Sequence, residues 1–124
     1  MENYWDMHAH APVDFYESDA RAEYVNYVRP QEMGNHYGVR QLTLGDKLRF
    51  RGTEDFECQV SQYSTRMLTK AQHTDELEET GQSYVRVDYK VSGIGSGSCG
   101  PALDPDFQIL EKTFTFRVTM EPAL

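Results

Sequence analysis

Asp6, His8 and His10 stand together near the start of the chain. A His-x-His spacing puts both imidazoles on one side of an extended segment, where they can hold a divalent metal. No third His or Cys follows at a suggestive distance, so the pair reads as surface histidine. The run Ser92-Gly93-Ile94-Gly95-Ser96-Gly97-Ser98 has the glycine content of a phosphate loop. Such a loop needs a helix N-terminus directly after its glycines, and a Lys-Ser/Thr for a nucleoside triphosphate. Here Cys99-Gly100-Pro101 follows and Pro105 blocks a helix soon after, so the glycines are expected to serve turns and close backbone packing. Cys58 falls on the apolar side of an alternating run and reads as a small buried hydrophobe. Cys99 has no His nearby in sequence to act as its base. Carboxylate pairs such as Asp75 with Glu78, or Glu54 with Asp55, are common in an acidic chain. No catalytic set emerges from these residues.

The segment Arg29-Pro30-Gln31-Glu32-Met33-Gly34-Asn35-His36 is polar, irregular and placed just before the first good strand. Pro30 fixes φ, Gly34 permits a turn, and the amide and carboxylate side chains can tie loop backbone together. Two readings stay open: a structural loop, or a polar wall facing a sugar or a neighbouring domain.

The elements that must position these groups are mostly strands. Val85, Val87, Tyr89 and Val91 alternate with polar residues over Tyr84–Val91, and Phe114, Phe116, Val118 and Met120 do so over Lys112–Met120. Period two predicts half-buried strands. Phe56–Ser61 is a third, and Phe107–Leu110 a further short one. Val39–Leu44 and Lys47–Arg51, separated by Gly45-Asp46, predict a hairpin with a two-residue Gly-X turn. Ser64 or Thr65 can cap one short helix through Leu68 to Ala71. Asp75–Glu79 reads as a solvated acidic loop. Val13–Glu17 and Tyr24–Val28 are at best short extended pieces. The pattern is all-β: an antiparallel sandwich or barrel.

Composition bounds the function. The 124 residues carry 20 acidic and 12 basic side chains, a formal net charge of −8. That balance argues against nucleic acid and against an anionic membrane surface. No apolar run approaches the roughly 18 residues of a spanning helix, and no signal peptide is visible. Two cysteines are too few for a disulfide framework, so a reduced, cytoplasmic-type protein is expected. An apolar fraction of 39% with fifteen aromatics implies a folded but thinly cored domain.

An ordered series of motifs resembles the C-terminal domain of the large β-galactosidases of glycoside hydrolase family 2. It comprises Glu2-Asn3-Tyr4, Tyr27-Val28-Arg29-Pro30-Gln31-Glu32-Met33-Gly34-Asn35 and Val39-Arg40-Gln41-Leu42. Downstream come Ser61-Gln62-Tyr63-Ser64 with Leu68, His73 and Leu77, then Val87-Asp88-Tyr89, Gly93-Ile94-Gly95 and Ser98-Cys99-Gly100-Pro101. The likeness runs from residue 2 to about residue 118.

The resemblance implies an incomplete chain, roughly the second half of a galactose-mutarotase-like supersandwich. It implies an intact enzyme that hydrolyses terminal β-galactosides such as lactose with retention, using two glutamates about 5–5.5 Å apart on a barrel that this chain lacks. Catalytic residues and metal ligands are therefore expected to be absent from this domain. Magnesium and sodium would belong to the intact enzyme, along with an oligomeric state. In some family members a loop of this domain sets an aromatic residue against the substrate. The matching stretch lies near Gly45–Asp55, where Phe50 is the nearest aromatic and, with Arg51, is the substrate-loop candidate. A free-standing carbohydrate-binding module is the alternative, with Tyr4, Trp5, Tyr16 and Tyr37 as stacking platforms.

Overall fold

The computed structural model describes residues 4–7, 10, 12–93 and 100–123. Four antiparallel strands form one sheet: β1 (His36–Leu44), β2 (Leu48–Ser61), β3 (Tyr84–Asp88) and β4 (Val118–Pro122). β2 is the spine. β1 lies along one of its edges, while β3 and β4 share the other, β3 opposite 57–61 and β4 opposite 48–52. At roughly 3.3 Å per residue, fourteen residues give β2 room for two short partners end to end. The all-β expectation holds. The described residues contain this single sheet and one short α-helix, α1 (Thr65–Lys70).

The hairpin forms where expected but with a longer turn. Leu44 pairs with Leu48, leaving Gly45, Asp46 and Lys47 between them. The Lys47 backbone N–H donates to the Leu44 carbonyl at 3.3 Å, so Lys47 closes the turn and does not begin the strand. Phe56–Ser61 is no separate strand but the second half of β2. A bulge disguises this continuity. Val39 pairs with Phe56 and Gln41 with Arg51, so two steps along β1 face five along β2. Gly52 makes the bulge possible, since a Cβ there would lie 2.1 Å from the Glu54 carbonyl oxygen and 2.8 Å from the Phe56 ring.

Three further expectations need correction. β3 ends at Asp88, three residues short of Val91. Lys112–Met120 is a strand only from Val118 onward, extending to Pro122. Phe114 and Phe116 instead pack against Tyr89, with ring centroids 4.2 and 6.1 Å away. Their alternation is satisfied by aromatic packing without a ladder. Phe107–Leu110 holds no strand. Pro105–Phe107 is a 3-10 turn, with Pro105 at its start and the Asp104 carboxylate accepting from the Asp106 N–H at 2.9 Å.

α1 begins as the sequence suggests. The Ser64 hydroxyl accepts from the Met67 N–H at 3.2 Å. Buried Leu68 and Ala71 join Phe56 and Cys58 as the buried apolar residues among those described. The acidic stretch is solvated: Asp75, Glu76, Glu78 and Glu79 are exposed. Among the described residues no helix is long and apolar enough to cross a membrane.

Candidate functional site

Residues directly opposite in an antiparallel pair point to the same face. Glu57 faces Asp88, Gln59 faces Arg86 and Ser61 faces Tyr84. One face of the β2–β3 ladder is therefore polar, yet Glu57, Gln59 and Ser61 are buried. The segment 30–35 covers them. The Asn35 amide donates to Glu57 Oε2 at 2.7 Å, and the Gln59 amide donates to the Met33 carbonyl at 2.5 Å. Arg86 bridges Glu32 and Asp88, at 2.5 Å to each, and reaches Asn35 Oδ1 at 3.5 Å. The Thr65 hydroxyl donates to Glu32 Oε1 at 3.0 Å, tying α1 to the same loop. Gly34 follows the Met33 carbonyl with φ +79°, which turns the chain so that Asn35 drops onto Glu57.

These contacts decide between the two readings of Arg29–His36. Its Glu32, Met33 and Asn35 groups bond to the sheet beneath, so the segment is a structural cover.

Electrostatics follow the geometry. Burial pushes the Glu57 carboxyl up, against the pull of the Asn35 hydrogen bond and the Val91 backbone N–H. Burial acts on Glu32 in the same sense, but the hydrogen bonds from Arg86 and Thr65 outweigh it and hold the carboxyl below its ordinary value. The Cys58 thiol, buried on the opposite face and near Glu23, Asp88 and Glu57, is pushed up to about 11. A thiol so disposed stays protonated at neutral pH and is no nucleophile, in keeping with its reading as a small hydrophobe.

Beside this cluster opens a cleft of about 310 Å³. Asp55 and Glu57 reach it from β2, Tyr37 from β1, Lys90 from beyond β3, Phe107 from the 3-10 turn and Trp5 from the N-terminal segment. The Trp5 and Tyr37 rings meet edge to face, with centroids 5.5 Å apart and planes at 90°. The charged groups at the rim are paired: Asp55 with Arg40 at 2.9 Å, Lys90 with Glu111 at 2.6 Å. The cleft thus offers an aromatic corner with hydrogen-bonding groups around it.

Phe50 and Arg51 lie elsewhere, in the ladder of β2. Phe50 pairs with Leu42 and Met120, and Arg51 with Gln41 and Thr119. Arg51 Nε stands 3.3 Å from Glu121 Oε1. Only residues 45–47 of the Gly45–Asp55 stretch form a turn, so any approach of Phe50 to a ligand is across a sheet face.

His10 is exposed, while His8 falls outside the described residues, as do Ile94–Ser98 and Cys99. Among the described residues no three His, Cys, Asp or Glu side chains are grouped to hold a metal. Sequence reasoning missed Arg86, Glu57 and Gln59, whose alternation reads as solvent-facing. The available signal was an amide- and carboxylate-rich loop, with polar faces on two strands and no other partner for them.

Comparison with known proteins agrees with the motif series. Residues 1–120 match the family described as β-galactosidase small chain. The β-galactosidase of Actinobacillus pleuropneumoniae is 38% identical over 117 residues, covering 94% of this chain and 12% of that protein. That of Photobacterium profundum is 31% identical over 123 residues, or 98% of this chain and again 12% of the relative. The Kluyveromyces lactis β-galactosidase is 29% identical over 121 residues, covering 93% and 11%. The chain therefore spans only about an eighth of the length of these relatives. With its all-β sheet, its ordered motifs and a match over nearly its whole length, the chain belongs to the β-galactosidase small-chain family.

Proposed function

We propose that this chain is a non-catalytic β-sandwich part of a retaining β-galactosidase, which acts in the cytoplasm on terminal β-galactosides such as lactose. The observation that carries this reading is the match over residues 1–120, to relatives named β-galactosidase of which this region is one small portion. In this reading the two catalytic glutamates and the magnesium and sodium sites lie in the remaining domains, and the intact enzyme is an oligomer. The second sheet of the sandwich comes from the flanking polypeptide. Phe50 and Arg51 contribute side chains that help complete the sugar site.

Steady-state kinetics of the full-length enzyme test this. Phe50→Ala is expected to raise KM for a chromogenic galactoside by roughly tenfold with kcat little changed, because a lost stacking contact weakens ground-state and transition-state binding alike. Unchanged kinetics in both Phe50→Ala and Arg51→Ala would remove the substrate-loop role. Turnover by the purified 124-residue chain would contradict its non-catalytic part.

The cleft favours a second reading, a carbohydrate-binding module. An aromatic corner with hydrogen-bonding groups at its rim suits a pyranose ring. Calorimetric titration with galactose and lactose discriminates: millimolar saturable binding that disappears in Trp5→Ala supports the module.

A further inference from the structure

We infer that residues 12–28 form a docking strap, through which this region packs onto an apolar groove with a basic rim elsewhere on the same β-galactosidase polypeptide. The inference rests on the reading of the chain as part of a larger enzyme.

Several of the strap's polar groups are held by the chain itself. Asp19 Oδ1 accepts from the backbone N–H groups of Arg21 at 2.9 Å and Ala22 at 3.0 Å, fixing a turn. Arg21 meets Glu79 at 2.6 Å, and Glu23 meets His36 at 2.9 Å. The Thr74 hydroxyl donates to the Tyr27 carbonyl at 2.9 Å. The backbone is thus tied to β1 and to the 74–79 loop.

Its apolar side chains are left exposed. Val13 and Phe15 are fully exposed, at 106% and 102%, and Val28 is 85% exposed. Tyr16, Val25 and Tyr27 expose more than half of their surface. Single exposed hydrophobes are ordinary, but six within sixteen residues on one anchored segment mark an interaction surface.

The occupant follows from length and charge. Each relative carries this region as about 12% of one continuous polypeptide, so most of the enzyme is tethered to the strap at high effective concentration. Asp14 and Glu17 flank Phe15 and Tyr16, so the receiving groove needs an apolar floor and Lys or Arg at its edge.

Chymotrypsin tests the strap in the full-length enzyme, because it must draw an aromatic side chain into its own apolar slot before cutting. The bonds after Phe15, Tyr16 and Tyr27 are expected to resist, and the double variant Val13→Ser/Val28→Ser to be cut there at least roughly tenfold faster. Rapid cleavage after Phe15 or Tyr16 in the unsubstituted enzyme overturns the inference. So does protection that disappears on dilution, which would seat a second copy on the strap. Galactoside hydrolysis assayed on the same samples keeps the two proposals apart. An active enzyme with an open strap defeats only the docking, whereas a protected strap in an inactive protein upholds the docking and defeats the enzymatic reading.

Discussion

Glu57 and Glu32 sit in one polar cluster and titrate in opposite senses. Glu57 has a raised pKa, so the folded chain binds its proton more tightly than the unfolded chain. That contribution to stability is complete below the unfolded value, about pH 4.3, and is lost as pH rises through the folded one. Glu32 has a lowered pKa, so its contribution is present above about pH 4.3 and is lost as pH falls through the folded value. Glu57→Gln keeps an acceptor for the Asn35 amide and removes the buried charge. It is expected to leave stability at pH 7 unchanged or raised by about 1 kcal/mol, and to flatten the pH dependence above about pH 4.3. Asn35→Ala should act oppositely, costing about 1–3 kcal/mol at pH 7 by leaving the carboxylate short of a donor. The penalty should shrink as pH falls and Glu57 takes up its proton. Urea unfolding of both variants across this range checks the pair; a Glu57→Gln protein that keeps the full pH dependence would refute the assignment.

At the scale of elements, β2 depends on its bulge, and the bulge on Gly52. Alanine there would drive a Cβ into the Glu54 carbonyl and the Phe56 ring. Gly52→Ala is expected to cost about 1–3 kcal/mol and to loosen the pairing of Gly52 with Val118. A shift of the urea midpoint reads the first, and faster amide exchange in Val118–Pro122 the second. The same strand shows what was legible in the sequence. Leu44 and Leu48 around a glycine gave away the hairpin, Ser64 the helix start, and Cys58 its own burial. The run Gly52-Thr53-Glu54-Asp55 concealed one continuous strand, because local hydropathy carries no sign of a bulge. Glu57, Gln59 and Ser61 read as a wet face because period two identifies faces without saying what covers them. Phe114 and Phe116 copied the period of a strand while serving as packing partners of Tyr89. Phe50 became a substrate-loop candidate only through family resemblance, since nothing in its β2 neighbourhood marks it chemically.

For the whole molecule the balance lies between exposed apolar surface and charge. Among the described residues the buried apolar side chains are Phe56, Cys58, Leu68 and Ala71, whereas Phe15, Leu110, Phe114 and Met120 are exposed. One sheet with so small a buried cluster leaves its remaining apolar surface to be covered by something else. Under the proposed function that cover would be the rest of the sandwich and the neighbouring domains; in the isolated chain the nearest substitute is another copy. Opposing this, a net charge of −8 repels like molecules. Salt screens that repulsion, with a Debye length of about 10 Å at 0.1 M and about 3 Å at 1 M, and leaves the apolar attraction in place. The isolated chain is therefore expected to sediment as a mixture whose mean mass rises with protein concentration and rises further with added salt. A charge-driven association would show the reverse salt dependence. A sharp monomer boundary at all concentrations, together with one cooperative unfolding transition, would mean that this single sheet closes its own core and needs no partner.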